Sequence, residues 1–194
     1  FKKKYSNYGV GELEIDFNKP YIVVLQHPVT TEYKQIEKNI DETIKAITKL
    51  DFQVIWLWPN VDAGSDIVSK RIRILREKKK SPHIRWQKNY NPEDYLKLIY
   101  GSSCLVGNSS SAIREGAFLG IPSVNIGNRQ ITREQGKNVI NVNYDSKRIL
   151  SAIKQQIKKK KFKKNNLFGD GKAGEKISKI LSNIKLDITK RLKY

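Results

Sequence analysis

A chain of 194 residues, 38% of them hydrophobic, with nine tyrosines, six phenylalanines and three tryptophans, can bury one substantial core but is cramped for two full domains. A single cysteine, Cys104, excludes an intramolecular disulfide, two distant histidines leave no Cys/His cluster for a zinc site, and no run of about 18 apolar residues marks a membrane span. The formal charge of +19 invites a nucleic-acid reading, yet no nucleic-acid motif accompanies it, and a lysine-rich surface that keeps the chain soluble is the simpler explanation.

The chain begins at Phe1 and holds no methionine, so a separated domain or fragment is expected. Polar Ser6 and Asn7 follow Lys2 to Lys4, where a signal peptide would carry an apolar stretch. Residues 1–19 are expected to form a linker or inter-domain segment, 20–160 the main domain, and 161–194 a glycine-rich loop with a C-terminal helix packed on that domain.

The first apolar run predicts a strand at 21–26, followed by the polar group Gln26-His27-Pro28-Val29-Thr30-Thr31. Tyr33, Ile36, Ile40, Ile44, Ile47 and Leu50 then recur at spacings of three and four, which predicts one long amphipathic helix. A second strand at 53–58 leads into Pro59-Asn60-Val61-Asp62-Ala63-Gly64-Ser65 and a crossover helix over 65–79. A third is predicted at 83–87. Asn91-Pro92-Glu93-Asp94 then has the chemistry of a helix start: a capping amide, proline in the first turn and acids beside the free N–H groups. Gly101 is expected to end that helix.

The fourth strand, 104–107, runs into Asn108-Ser109-Ser110-Ser111 and a helix expected to begin in the serine turn itself. Free backbone amides at a helix start, with hydroxyl donors beside them, form a cradle for phosphate; the alternative is that the serines only cap. Glu115, more than a turn into the expected helix, is placed to accept hydrogen bonds from ribose hydroxyls or simply to pair with a neighbouring cation. Strands at 123–126 and 138–142 complete six. Asp145 is expected to cap a helix carrying Ile149, Leu150, Ile153 and Ile157. The lysine run 158–164 is expected as a solvated helix end and loop, and 165–174 as a glycine-rich loop.

Strands alternating with amphipathic helices predict an α/β fold, a parallel sheet covered by helices, with the functional loops gathered along one sheet edge. His27, just past the first strand, is a candidate for proton transfer or phosphate contact, and Asn60 for orienting a polar group, although Pro59-Asn60 also reads as a turn. Arg129, behind Gly127, is a candidate phosphate clamp. No Gly-x-Ser-x-Gly elbow and no Walker A lysine is present.

Taken together with Arg114-Glu115-Gly116-Ala117, Asn125-Ile126-Gly127-Asn128-Arg129-Gln130 and Gly169-Asp170-Gly171, these loops resemble the C-terminal half of hydrolysing UDP-N-acetylglucosamine 2-epimerases, in order over nearly the whole chain. The Asn108-Ser109-Ser110 form resembles the hydrolysing branch rather than the non-hydrolysing one. The resemblance implies a Rossmann-like doubly wound parallel sheet of about six strands, the second domain of a GT-B arrangement. It further implies that UDP-sugar, either UDP-GlcNAc or a UDP-diacetamido sugar, is bound in a cleft shared with an N-terminal domain that supplies the catalytic carboxylates.

Positions matching His27 and Asn60 would face the substrate side of that cleft, those matching Ser109, Ser110 and Arg129 the diphosphate, and that matching Glu115 the ribose. The implied reaction eliminates UDP across C1 and C2 to a glycal, then adds water to release the 2-epimeric sugar, N-acetylmannosamine or a relative on the route to sialic or other nonulosonic acids. No metal or cofactor is implied, and a cytoplasmic enzyme, homo-oligomeric when intact, is expected. Asn128, where threonine is common, and Lys172, where asparagine is frequent, depart from the pattern. A GT-B glycosyltransferase domain and a basic module for nucleic acid or an anionic surface are the competing readings; the loops do not need the latter.

Overall fold

A computed structural model of the chain describes residues 1–78 and 81–185. Six strands form one sheet: β1 (Tyr21–Leu25), β2 (Gln53–Leu57), β3 (Ile84–Gln87), β4 (Cys104–Gly107), β5 (Ser123–Ile126) and β6 (Val139–Val142). Every neighbouring pair is parallel, in the order β3-β2-β1-β4-β5-β6, so the order reverses between β1 and β4. Strands covered on both faces read as continuous apolar runs, as β1, β2 and β4 do, and all six strands lie within a residue or so of where the sequence predicts them.

Residues of alternating parity go to opposite faces. One face packs Ile22, Val24, Val54, Trp56, Cys104 and Val106 against α2 (Ile36–Ile47), α3 (Ser65–Glu77) and α6 (Ser146–Ile157), whose Ile40, Ile47, Ile72, Ile149 and Ile153 are buried. The other packs Tyr21, Val23, Ile55, Leu57 and Leu105 against Leu98 and Ile99 of α4 (Pro92–Gly101). Each of these aliphatic side chains contributes about 1.5–3 kcal/mol by leaving water. The expected caps form: the Asn91 carbonyl oxygen accepts the Asp94 N–H at 2.8 Å, and the Asp145 carboxylate accepts that of Arg148 at 2.8 Å.

Four expectations are corrected. The helix after β1 is shorter than expected: Thr30–Gln35, with Glu32 at non-helical angles (φ −113°, ψ 29°), is a 3₁₀ segment, and α2 runs only from Ile36 to Ile47, leaving Tyr33 exposed before it. The helix after β4 does not start in the serine turn: Ser110–Ala112 is a 3₁₀ turn and α5 spans Arg114–Leu119, so Glu115 sits in its first turn. Serine hydroxyls that bond their own backbone compete with α-helical pairing, and Ser109 accepts from the Ser111 N–H here. The helix after β2 ends at Glu77; Lys79 of the expected range lies outside the described residues.

The fourth concerns the C-terminal part. The C-terminal helix, α7 (Ala173–Asn183), has no buried residue, and Ile177, Ile180 and Leu181 stay exposed, so its expected packing on the domain is absent among the described residues. Every lysine of the run 158–164 before it is exposed, as expected. Beyond α6 the run returns across α5, with the Phe162 N–H donating to the Gly120 carbonyl at 2.8 Å and the Asn165 N–H to that of Ala117 at 3.0 Å. Lys161 lies over the Tyr100 ring and Lys164 over that of Phe118 (3.7 Å).

Residues 1–19 are fastened along the free side of β3. A short helix, α1 (Lys2–Tyr5), buries Tyr5 against Tyr90, and Val10 makes an antiparallel bridge to Trp86. The Arg85 guanidinium, 7% exposed, donates to the carbonyls of Tyr8 (3.0 Å), Gly11 (2.7 Å), Leu13 (3.2 Å) and Gly9 (3.2 Å), and to that of Asn7.

Candidate functional site

In an open parallel sheet, ligands bind outside the carboxyl ends of the strands, where the strand order reverses. Here that point lies between β1 and β4, and the loops that leave them are joined by one side chain. Asn108, fully buried, accepts the His27 N–H on its carbonyl oxygen at 2.7 Å and donates to the His27 carbonyl at 2.9 Å. Gly107 permits this approach: its φ is +131°, and any side chain there would run into the Leu25 carbonyl.

The His27 ring is buried, and its Nδ1 accepts the Asn60 N–H at 3.2 Å. Burial, reinforced by the Arg129 charge and opposed by Asp62, pushes its pKa down to about 4. At neutral pH the ring is uncharged, and with Nδ1 occupied as an acceptor its proton sits on Nε2. His27 is therefore a neutral donor, and an imidazolium there would need acid conditions.

The Asn108 backbone carbonyl, in turn, accepts from Arg129 Nη1 at 3.2 Å and from Gln130 Nε2 at 3.0 Å. Arg129 thus lies over the start of the serine turn, exposed and without a carboxylate partner among the described residues. Ser109 and Ser111 hydroxyls stand 3.0 Å apart, and the Tyr95 hydroxyl meets Ser111 Oγ at 2.6 Å.

A hollow of about 830 Å³ opens beside this group, lined by His27, Asn60, Ser109, Ser111, Lys88 and Tyr95 among others. Its size suits a drug- or nucleotide-sized ligand. Lys88 is the only permanently charged side chain on its lining, and no carboxylate contributes.

Glu115 is set apart. It lines a neighbouring hollow of about 330 Å³ with Phe118, Phe168 and the glycine turn Gly169 to Gly171. It makes no ion pair and no side-chain hydrogen bond among the described residues, so the expectation that it merely pairs with a cation is not met. Its charge still reaches Tyr95: burial chiefly, then Glu115, raises the pKa of that hydroxyl against the Ser111 bond. Tyr95 lines the larger hollow, and its neighbour Leu96 lines the smaller. A third hollow, about 380 Å³, lies at the other end of β3 around Val10, Leu75, Pro82 and Trp86, and none of the residues singled out in the sequence lines it.

The structure therefore brings His27, Asn60, Ser109 and Arg129 to one place, puts Glu115 in the neighbouring hollow, and leaves Ser110 half-exposed beside them with no side-chain hydrogen bond among the described residues. With this geometry, the comparison with known proteins is direct. Residues 1–182 match the model of the UDP-N-acetylglucosamine 2-epimerase family. The chain belongs to that family.

A Legionella pneumophila protein named UDP-N,N'-diacetylbacillosamine 2-epimerase (hydrolyzing) is 32% identical over 171 residues, which are 88% of this chain and 45% of that protein. Among solved structures, the Neisseria meningitidis UDP-GlcNAc 2-epimerase bound to UDP-GlcNAc has a TM-score of 0.67 at 16% identity, covering 88% of this chain and 46% of that one. The Methanocaldococcus jannaschii enzyme in complex with UDP-GlcNAc and UDP has a TM-score of 0.66 at 21% identity, covering 86% and 47%. The chain spans about half the length of the relatives it matches.

Within this epimerase-family fold, sequence reasoning assigned no role to Asn108, Tyr95, Tyr144 or Glu32. Tyr144 packs under Gly127, and the pKa of its hydroxyl is pushed up to about 12 by burial and by Glu32. Asn108 was marked by its place after a glycine at a strand end. The others carry no local signal, since their partners are distant in sequence.

Proposed function

We propose that this chain is the UDP-sugar-binding, C-terminal half of a hydrolysing UDP-N-acetylglucosamine 2-epimerase, the second domain of a GT-B arrangement. One observation carries the reading: His27, Asn60, Ser109 and Ser111 line a single hollow at the point where the strand order reverses, with Arg129 held over the same turn. In that reading the diphosphate lies on the serine turn, where hydroxyls, backbone amides and the planar Arg129 fork donate to its oxygens. His27 adds a neutral Nε2–H donor from the substrate side, Asn60 holds the ring in that tautomer through its N–H, and Glu115 takes the ribose hydroxyls.

Elimination of UDP needs a base for the C2 proton and a stabilised leaving group. These residues serve the second requirement. In the family reading the proton-transfer carboxylates belong to the other half of the cleft, in keeping with a hollow that no carboxylate lines among the described residues, and the chain alone binds UDP without turning over. The intact enzyme is assigned to the cytoplasm, where the buried free thiol of Cys104 stays reduced, and to a homo-oligomer. No helix among the described residues is long and apolar enough to cross a membrane. The sugar is UDP-GlcNAc or a UDP-diacetamido relative.

Calorimetric titration of UDP at about 150 mM salt, beside Glu115→Ala and a short DNA duplex, tests this, because phosphate-backbone binding weakens steeply with salt whereas one enclosed diphosphate site does not. Saturable UDP binding that is lost in Glu115→Ala is expected. Absence of UDP binding together with tight, salt-sensitive DNA binding would replace this reading with the basic-module one.

A further inference from the structure

Glu32 stands 97 residues before Arg129, in the 3₁₀ segment after β1, and its carboxylate reaches the loop that carries that arginine. One oxygen accepts Asn128 Nδ2 at 2.6 Å; the other accepts Nδ2 of the buried Asn39, on α2, at 3.1 Å. In a chain with 38 cationic side chains and 19 acids, this carboxylate is bound by two neutral amides, although Arg129 is the next residue along. Glu32 itself has non-helical backbone angles within the 3₁₀ segment ahead of α2, and from there its side chain crosses to the far loop.

We propose that Glu32 is a positioning residue: anchored by Asn39, it holds Asn128 and so fixes the Arg129 guanidinium over the Asn108 carbonyl, facing the anion site. The inference rests on the diphosphate reading of that site. Because Glu32 engages Asn128 and not Arg129, the guanidinium is aimed without being neutralised. A carboxylate on Arg129 itself would occupy the fork that a diphosphate oxygen needs. Asn128, a departure from the common threonine, supplies the two-hydrogen amide that makes this link possible.

Electrostatics alone predicts the opposite outcome of mutation. Removing a negative charge near an anion site tightens anion binding, whereas losing a positioning contact weakens it. For UDP titrated into the chain, Glu32→Ala is expected to weaken binding about tenfold, on the order of one charged hydrogen bond. Glu32→Gln, which keeps an acceptor for Asn128 and loses the charge, should bind at least as well as the unmodified chain. In an Arg129→Ala background, Glu32→Ala should no longer weaken binding, leaving at most the small gain from the lost charge.

A second readout does not depend on UDP: the Arg129 Nη–H resonances in ¹⁵N-labelled chain, Nη1 being the donor to the Asn108 carbonyl, should exchange faster with solvent in Glu32→Ala and Asn128→Ala, and remain unchanged in Glu37→Ala. An unaltered Arg129 signal in Glu32→Ala, or tighter UDP binding by that variant, would overturn the positioning role. Failure of the unmodified chain to bind UDP would instead overturn the nucleotide reading, and the resonance would still decide whether Glu32 fixes Arg129.

Discussion

Asn108→Ala is the substitution by which the site's construction is most directly measured. Asn108 is wholly buried, and its side chain accounts for both backbone groups of His27, at 2.7 and 2.9 Å. Alanine leaves that N–H and that carbonyl without these partners, and each buried unsatisfied group costs about 1–3 kcal/mol, so the expected loss is about 2–6 kcal/mol. Against a total stability of about 5–15 kcal/mol, this is a large fraction. Urea unfolding followed by tryptophan fluorescence reads it as a lower midpoint at unchanged slope. Ser109→Ala is the control. Its hydroxyl makes only a long bond to the Ser111 N–H, at 3.4 Å, and a half-exposed contact to Ser111 Oγ, so a loss below about 1 kcal/mol is expected. A cost for Asn108→Ala no larger than for Ser109→Ala would refute the claim that this amide ties the first and fourth loops together.

His27 supplies a pH test. Its pKa falls from 6.5 to about 4 on folding, so the unfolded chain binds more protons in that interval. Stability from this group is complete above pH 6.5 and is lost as pH falls toward 4, by about 3 kcal/mol between pH 7 and 4. Subtracting the profile of His27→Asn isolates it; parallel profiles would contradict the buried neutral ring. Gly107→Ala forces a side chain onto the Leu25 carbonyl at positive φ, and a loss of more than about 2 kcal/mol, or failure to accumulate folded protein, is expected by circular dichroism. Arg85→Lys replaces a fork serving several carbonyls with one ammonium; hydrogen exchange should rise across residues 7–13 and leave β1 and β4 protected.

How much of this was legible in the sequence follows from the range of each interaction. Strands buried on both sides announce themselves in continuous apolar runs, and capping residues such as Asn91 and Asp145 act within three positions, so both can be read locally. Which loops share the sheet edge follows from alternation and handedness, which is why His27, Asn60, Ser109 and Arg129 could be grouped before any coordinates. The kink at Glu32 could not be read this way. The helical spacing of Tyr33, Ile36 and Ile40 begins only beyond it, and the partner of the Glu32 carboxylate lies at Asn128, 96 residues on. Tyr144 likewise owes its place to Gly127. The amphipathic pattern of α7 predicted a buried face that the structure does not show: a pattern names no partner, and the described residues provide none.

The guanidinium of Arg85 and the Val10 bridge have a consequence for how copies of the chain can meet. Backbone groups along an outer strand are a template for further strands, and on the β3 side the N-terminal segment already covers them. Among the described residues, the β6 flank of this sheet is the one left for strand addition. With one such flank per molecule, two copies joined strand to strand about a twofold axis consume both flanks, and the assembly closes as a pair. Sealing one side thus makes runaway stacking of sheets into fibres a two-molecule event.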